Sequence, residues 1–170
     1  MASIKAEYIN PFISNALEVF EQLANIELKK SEVKLKSDPT PGNDVSIIVG
    51  VAGFIEGQVV YSLKQYTAER IAMQMITDPK KQQDKEMLKS AIAELANVIT
   101  GRATINLSGR DKVLSITPPV VIIGKDYNIE LVKLETIAAY FTSRFGTIEI
   151  NIALREKQGK WFFFIFSSYY

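Results

Sequence analysis

Apolar residues recur at helical spacing in three stretches of the chain and at strand-like spacing in most of the rest. Phe12, Ala16, Val19, Phe20 and Leu23 form one such stripe and predict a helix over residues 11–24. Asn10 reads as its N-cap and Pro11 as its first helical residue. Residues 26–35 read as a strand with charges interleaved among apolar positions. Residues 37–44 are dense in turn formers and read as an exposed loop inside one domain. Two strands follow, residues 45–51 and 57–63, then a short helix over 67–76 that ends at Asp78-Pro79. The strongest helical pattern of the chain spans 84–103.

Beyond that helix the pattern turns to strands at 113–117 and, after Pro118-Pro119, at 120–123. Residues 137–142 and 147–154 read as a hairpin turning at Gly146. A last strand, residues 161–166, is apolar on both alternating faces. Such a strand is either sandwiched in a core or covered by another chain. Gly50, Gly53 and Gly57 fit neither the dinucleotide nor the Walker spacing, and read as hairpin or strand-bend residues. The expected fold is α+β, with long helices packed on an extensive, mostly antiparallel β-sheet, in a single domain over residues 1–170.

Composition narrows the chemistry. The chain contains neither His nor Cys, which removes Ser-His-Asp and Cys-His nucleophile systems, Cys/His metal sites and disulfides. With 20 Lys+Arg against 19 Asp+Glu, there is no basic field for nucleic acid and no polybasic surface for a membrane. No apolar run approaches the ~18–20 residues that span a bilayer, and the first residues lack a secretory signal. A soluble cytoplasmic protein is expected. Lys29-Lys30 and Lys80-Lys81 read as solvated charges, and Asn106-Leu107-Ser108 as an unused glycosylation sequon in that compartment.

The helix over 84–103 has an unusual outer face. Leu88, Ile92, Leu95 and Ile99 make its core side, while Glu86, Ser90, Ala93, Glu94, Asn97, Gly101 and Thr104 lie opposite. A solvated helix face is ordinarily rich in long charged side chains. This one is mostly small residues around one carboxylate and one carboxamide. Ser90, Glu94 and Asn97 follow at intervals of four and three, which brings them to one side within about two turns. The face is either an ordinary polar surface with an incidental Asn or a surface built for close approach by another molecule.

Ser90-x3-Glu94-x2-Asn97, followed by Pro118-Pro119, resembles the signature of the CheC/CheX chemotaxis phosphatases, a family that also includes FliY-type flagellar-switch relatives. The opening Lys5-Ala6-Glu7-Tyr8-Ile9-Asn10-Pro11-Phe12-Ile13 is similar to the CheX-type start. Gly50-Val51-Ala52-Gly53, Gly57-Gln58-Val59-Val60 and Pro119-Val120-Val121-Ile122-Ile123-Gly124 agree as well. The interval from Asn97 to the prolines is slightly shorter than the family pattern, as though the loop near Ser108-Gly109-Arg110 were trimmed.

The resemblance implies a protein-aspartyl-phosphate phosphatase that acts on a phosphorylated CheY-like response regulator. Asn97 would orient the attacking water and Glu94 would pair with the receiver's Lys. Ser90, Ala93 and Gly101 would form the partner-binding surface. The phosphatase would need no cofactor or metal of its own, since the Mg²⁺ belongs to the receiver. It also implies a homodimer that joins its sheets through the 161–166 strand or another edge. A receiver- or flagellar-switch-binding module without catalysis, or a homodimeric scaffold, are the competing classes. In the first helix Ser14, Glu18 and Glu21 follow the same spacing, but Glu21 stands where an amide is required. An ionised carboxylate there would repel a phosphoryl group and could not donate to water, so that helix reads as structural.

Overall fold

The computed structural model describes residues 5–37, 41–125, 127 and 131–157. The expected strand at 161–166 and residues 38–40 of the expected loop lie outside that set. In chain order the elements are α1 (Ala6–Ala24), β1 (Lys29–Lys36), β2 (Val45–Gly53), β3 (Ile55–Leu63), α2 (Gln65–Met75), α3 (Lys85–Leu107), β4 (Leu114–Ile116), β5 (Val120–Ile123), β6 (Thr136–Ser143) and β7 (Gly146–Glu156).

The α+β class is as the pattern predicts. All seven strands form one sheet in the order β1-β6-β7-β3-β2-β4, with β5 also on β2, and every pairing among the described residues is antiparallel. The three helices share one core with a single face of that sheet, the face that carries Val49, Tyr61 and Ile150. β3 lies between β2 and β7, so its side chains reach the middle of that core.

α1 begins a turn earlier than its cap signals suggest, and Pro11 falls inside it. Pro has no N–H and so leaves the carbonyl four residues back without its helical donor. Tertiary contacts outweigh this loss. Ile9 and Phe12 are both buried, and Lys5 and Tyr8 both donate to Glu156 at the end of β7. At the other end, Asn25 takes the left-handed conformation, its N–H donating to the Glu21 carbonyl and the next N–H, of Ile26, to that of Phe20, a conformation that Asn tolerates. α2 is capped from the loop before β2, where the Asp44 carboxylate accepts from the Gln65 N–H at 3.2 Å.

β4 and β5 act as one edge strand in two pieces. β4 pairs with β2 at Val51–Gly53, β5 at Val45–Ile48, and Pro118-Pro119 stands between them. Neither proline can donate to the ladder, which therefore breaks there. Thr117 holds the joint. Its N–H donates to the Gly50 carbonyl at 3.0 Å, and its hydroxyl accepts from the Gly50 N–H at 2.8 Å. A Cβ on Gly50 would come within 2.9 Å of the Thr117 methyl, so this close approach requires glycine.

The three glycines read as strand-bend residues do lie in β2 and β3, and none of them immediately precedes a helix start. Gly57 has φ +145°, and a Cβ there would sit 2.0 Å from the Ala153 carbonyl of β7. Two penalties then coincide, a conformation L side chains avoid and a clash with backbone. Gly57→Ala is expected to cost about 3 kcal/mol or more, seen as a fall in the denaturation midpoint. Gly109→Ala, where nothing lies within 4 Å of the added carbon, should stay within about 0.5 kcal/mol of the parent.

Candidate active site on helix α3

α3 starts where the sequence places it. The Asp84 carboxylate accepts from the N–H groups of Glu86 and Met87 at 2.9 and 3.3 Å, which satisfies two of the donors a helix start leaves open. Leu88, Ile92, Leu95 and Ile99 are all buried, as the stripe predicts. On the opposite side Ser90 and Glu94 are exposed, and Ala93, Asn97 and Gly101 are half-buried. Thr104 departs from its expected place on this face. It is buried, and its hydroxyl donates to the Gly101 carbonyl at 2.8 Å. α3 runs beside β4, and that side of its later turns is covered.

The spacing gives the outer face its shape. Asn97 has Ala93 one turn before it and Gly101 one turn after, the positions that flank a side chain on a helix surface. Neither of these neighbours carries a side chain beyond Cβ that could cover its amide. Glu94 and Asn97 make no hydrogen bond or ion pair with any described residue, whereas Glu86 on the same face is engaged by Lys89 at 3.2 Å. A free carboxylate and a free amide thus stand side by side on a ridge. Two open clefts, of about 650 and 260 Å³, lie elsewhere: one among Glu21, Asn25, Lys29 and Arg144, the other among Gln65, Leu88, Lys89 and Ile123. Neither is lined by Glu94 or Asn97. A ridge with free polar groups suits entry into another molecule's site better than capture of a small ligand.

Gly101 is not required by the packing of this chain. A Cβ there would meet only the Ile116 Cδ1 atom, at an ordinary 3.7 Å. Glycine inside a helix costs roughly 0.5–1 kcal/mol relative to Ala, and nothing within the described residues offsets that cost.

Three polar contacts hold α3 in its setting, and sequence reasoning anticipated none of them. Asn15 of α1 donates to Asn106 at 2.8 Å, and Arg102 donates to Gln22 of α1 at 2.6 Å. The third is buried. Thr100 donates to the Ala96 carbonyl at 2.8 Å and lies 2.7 Å from the Tyr61 hydroxyl of β3. The single proton of Thr100 is committed to Ala96, so Tyr61 is the donor of that pair. Burial pushes the Tyr61 phenol far above its ordinary value, against a smaller opposing effect of the Thr100 hydrogen bond. Two polar residues on otherwise apolar faces of β3 and α3 were the available signal.

In the first helix, Ser14 donates back to the Asn10 carbonyl at 3.1 Å, and Glu18 and Glu21 are exposed. No group of three His, Cys, Asp or Glu side chains among the described residues could hold a metal ion. Among the same residues, no helix is long and apolar enough to cross a membrane.

These features define a class: an α+β protein that offers a carboxylate and an amide from one helix. The family model for chemotaxis phosphatase CheX matches residues 45–142, and the chain belongs to that family. It is 30% identical over 154 residues to the CheY-P phosphatase CheX of Thermotoga maritima, covering 91% of this chain and 98% of that protein. A chain of the CheX–CheY–BeF3–Mg²⁺ complex from Borrelia burgdorferi is 31% identical, with a TM-score of 0.71, over 88% of this chain and 98% of that one. The crystal structure of a CheC-like superfamily protein from Shewanella sp. PV-4 has a TM-score of 0.76 at 28% identity, over 89% of this chain and 99% of that one.

Two outcomes follow from this geometry. Gly101→Ala should raise stability by about 0.5–1 kcal/mol, measured by denaturant titration. The second concerns alkaline pH. An unfolded-state tyrosine ionises near pH 10 while buried Tyr61 keeps its proton, so above about pH 10 the unfolded state binds fewer protons than the folded one. The stabilisation from this group is complete below that pH and declines by about 1.4 kcal/mol per pH unit above it. Tyr61→Phe should remove that portion of the alkaline slope.

Proposed function

We propose that this chain hydrolyses the aspartyl phosphate of a CheY-like response regulator, with Asn97 orienting the attacking water and Glu94 pairing with the receiver's Lys. The observation that carries the reading is the free amide of Asn97, flanked by Ala93 and Gly101, beside the free carboxylate of Glu94. Membership of the CheX family supports the reaction class. In the Borrelia burgdorferi complex, a CheX is bound to CheY together with BeF3 and Mg²⁺, where beryllofluoride stands in for the phosphoryl group.

The chemistry asks little of this chain. An acyl phosphate is already activated, and a receiver that carries its own Mg²⁺ and Lys neutralises the phosphoryl charge. Positioning is the missing contribution. The Asn97 carboxamide can donate through its N–H and accept through its oxygen, so it holds a water in line with the phosphorus. The water oxygen bonds to phosphorus as the bond to the aspartyl oxygen breaks. The aspartyl oxygen departs with the electron pair of the broken bond as a carboxylate; one water proton stays on the new phosphate oxygen and the other is released to solvent, giving inorganic phosphate. Glu94, desolvated on docking, forms a charge-assisted pair with the receiver's Lys and so aligns Asn97.

Ser90 supports the contact surface, and Ala93 and Gly101 contribute by being small, letting the α3 backbone approach. The same proposal includes a cytoplasmic homodimer built as one domain, with two copies joined at a sheet edge. β1 and the β4/β5 edge each leave one side unpaired among the described residues.

The test is the decay of a phosphorylated receiver with and without the protein. Wild type should accelerate it. Asn97→Ala should lose on the order of 10²-fold or more in kcat, and Glu94→Ala should both raise KM and lower the rate. Equal acceleration by wild type and Asn97→Ala would refute the assigned roles. Binding of the phosphorylated receiver without any change in its lifetime would instead identify a non-catalytic binding module.

A further inference from the structure

We infer that Tyr61 and Thr100 are positioning residues for Asn97, acting through a buried two-step hydrogen-bond chain that ends on the peptide group joining Ala96 to Asn97. The inference rests on the phosphatase reading above and adds two residues to it. Tyr61 stands on β3 with Ile47 and Ile150 as its cross-strand partners, so it is fixed in the middle of the sheet. Its hydroxyl donates to the Thr100 hydroxyl at 2.7 Å, which donates to the Ala96 carbonyl at 2.8 Å. That carbonyl belongs to the same planar unit as the Asn97 nitrogen.

The need for such a link follows from how α3 is otherwise held. Its contact with the core shared with the sheet is made by Ile92, Leu95, Ala96, Ile99 and Ala103, with Leu88 in a second cluster beside α2, and apolar packing is non-directional. It fixes which face is buried more firmly than it fixes the angle about the axis. Side-chain tips lie about 5–6 Å from a helix axis, so a 10° roll moves the Asn97 amide by about 1 Å. A displacement of that size costs an oriented catalytic group about 10²-fold.

The other two polar contacts are less direct. Arg102–Gln22 is exposed, and Asn15–Asn106 acts more than two turns beyond Asn97. Only the Tyr61–Thr100 pair among the three is both buried and within one turn of the amide. A hydrogen bond in that setting is stiffer than one in water. With its proton held by burial, Tyr61 remains a donor throughout the range in which a receiver phosphatase is assayed.

The experiment is steady-state dephosphorylation of a phosphorylated receiver by wild type, Tyr61→Phe, Thr100→Val and Thr100→Ser, well below each variant's melting temperature. Tyr61→Phe keeps the ring and removes only the hydroxyl. Its kcat should fall about tenfold or more while KM stays within about twofold. Thr100→Val should show the same loss, and the Tyr61→Phe/Thr100→Val double variant little more than either alone, because both sever one chain. Thr100→Ser, which keeps the hydroxyl, should restore kcat to near the wild-type value.

A merely structural role would lower the melting temperature without splitting kcat from KM. Wild-type kcat in Tyr61→Phe, with Asn97→Ala inactive, would overturn this inference and leave the phosphatase reading intact. A wild type that leaves the receiver's phosphate lifetime unchanged would overturn that reading and this inference with it. If Tyr61→Phe cannot be isolated folded, equal kcat in Thr100→Ser and Thr100→Val is the overturning result.

Discussion

Burial of its apolar stripe seats α3 with one face toward the core and leaves Glu94 and Asn97 on the opposite face. Leu88, Ile92, Leu95 and Ile99 are sealed into the core, and a helix that buries one side presents the other. The Asp84 cap sets where the helix begins. Much of the remaining architecture supports that seat. β3 supplies Tyr61 at the sheet centre, α1 braces the later turns through Gln22 and Asn15, and β4 lies against α3.

A side chain that must enter another protein's site has requirements unlike those of an enclosed pocket. It has to be rigid at its base and unobstructed at its tip. α3 provides the first by burial and by the Tyr61–Thr100–Ala96 chain, and the second by Ala93 and Gly101 on either side of Asn97. Gly101 makes the division visible, because the chain gives up helix stability at a position where its own packing has room for a methyl group. The lack of His and Cys is consistent with this arrangement. Where the electrophile, the metal and a Lys come from the receiver, an amide and a carboxylate are enough.

Much of this was legible in the sequence. β5 spans the apolar run after the two prolines, the β6–β7 hairpin turns at Arg144-Phe145 beside Gly146, and the α3 stripe is buried residue for residue. These are local patterns, and periodicity reads them directly. The parts that escaped depend on distant residues. Asn10 and Pro11 carry good helix-start chemistry, but contacts of Lys5 and Tyr8 with Glu156 draw the helix past them. Thr104 has the periodicity of the outer face and is nevertheless buried, which a helical wheel alone does not show. The pairing of Tyr61 with Thr100 joins positions 39 residues apart, and only the sheet order brings them together.

The central claim is that α3 enters the receiver with Asn97 leading and Glu94 alongside. A crystal structure of this protein bound to a CheY-like receiver charged with Mg²⁺ and beryllofluoride, the phosphoryl stand-in, tests it most directly. The expected result is the Asn97 amide within hydrogen-bond distance of the in-line water position, with Glu94 paired to the receiver's Lys. A complex in which α3 faces away from the beryllofluoride, or in which Asn97 is turned from it, would contradict the claim.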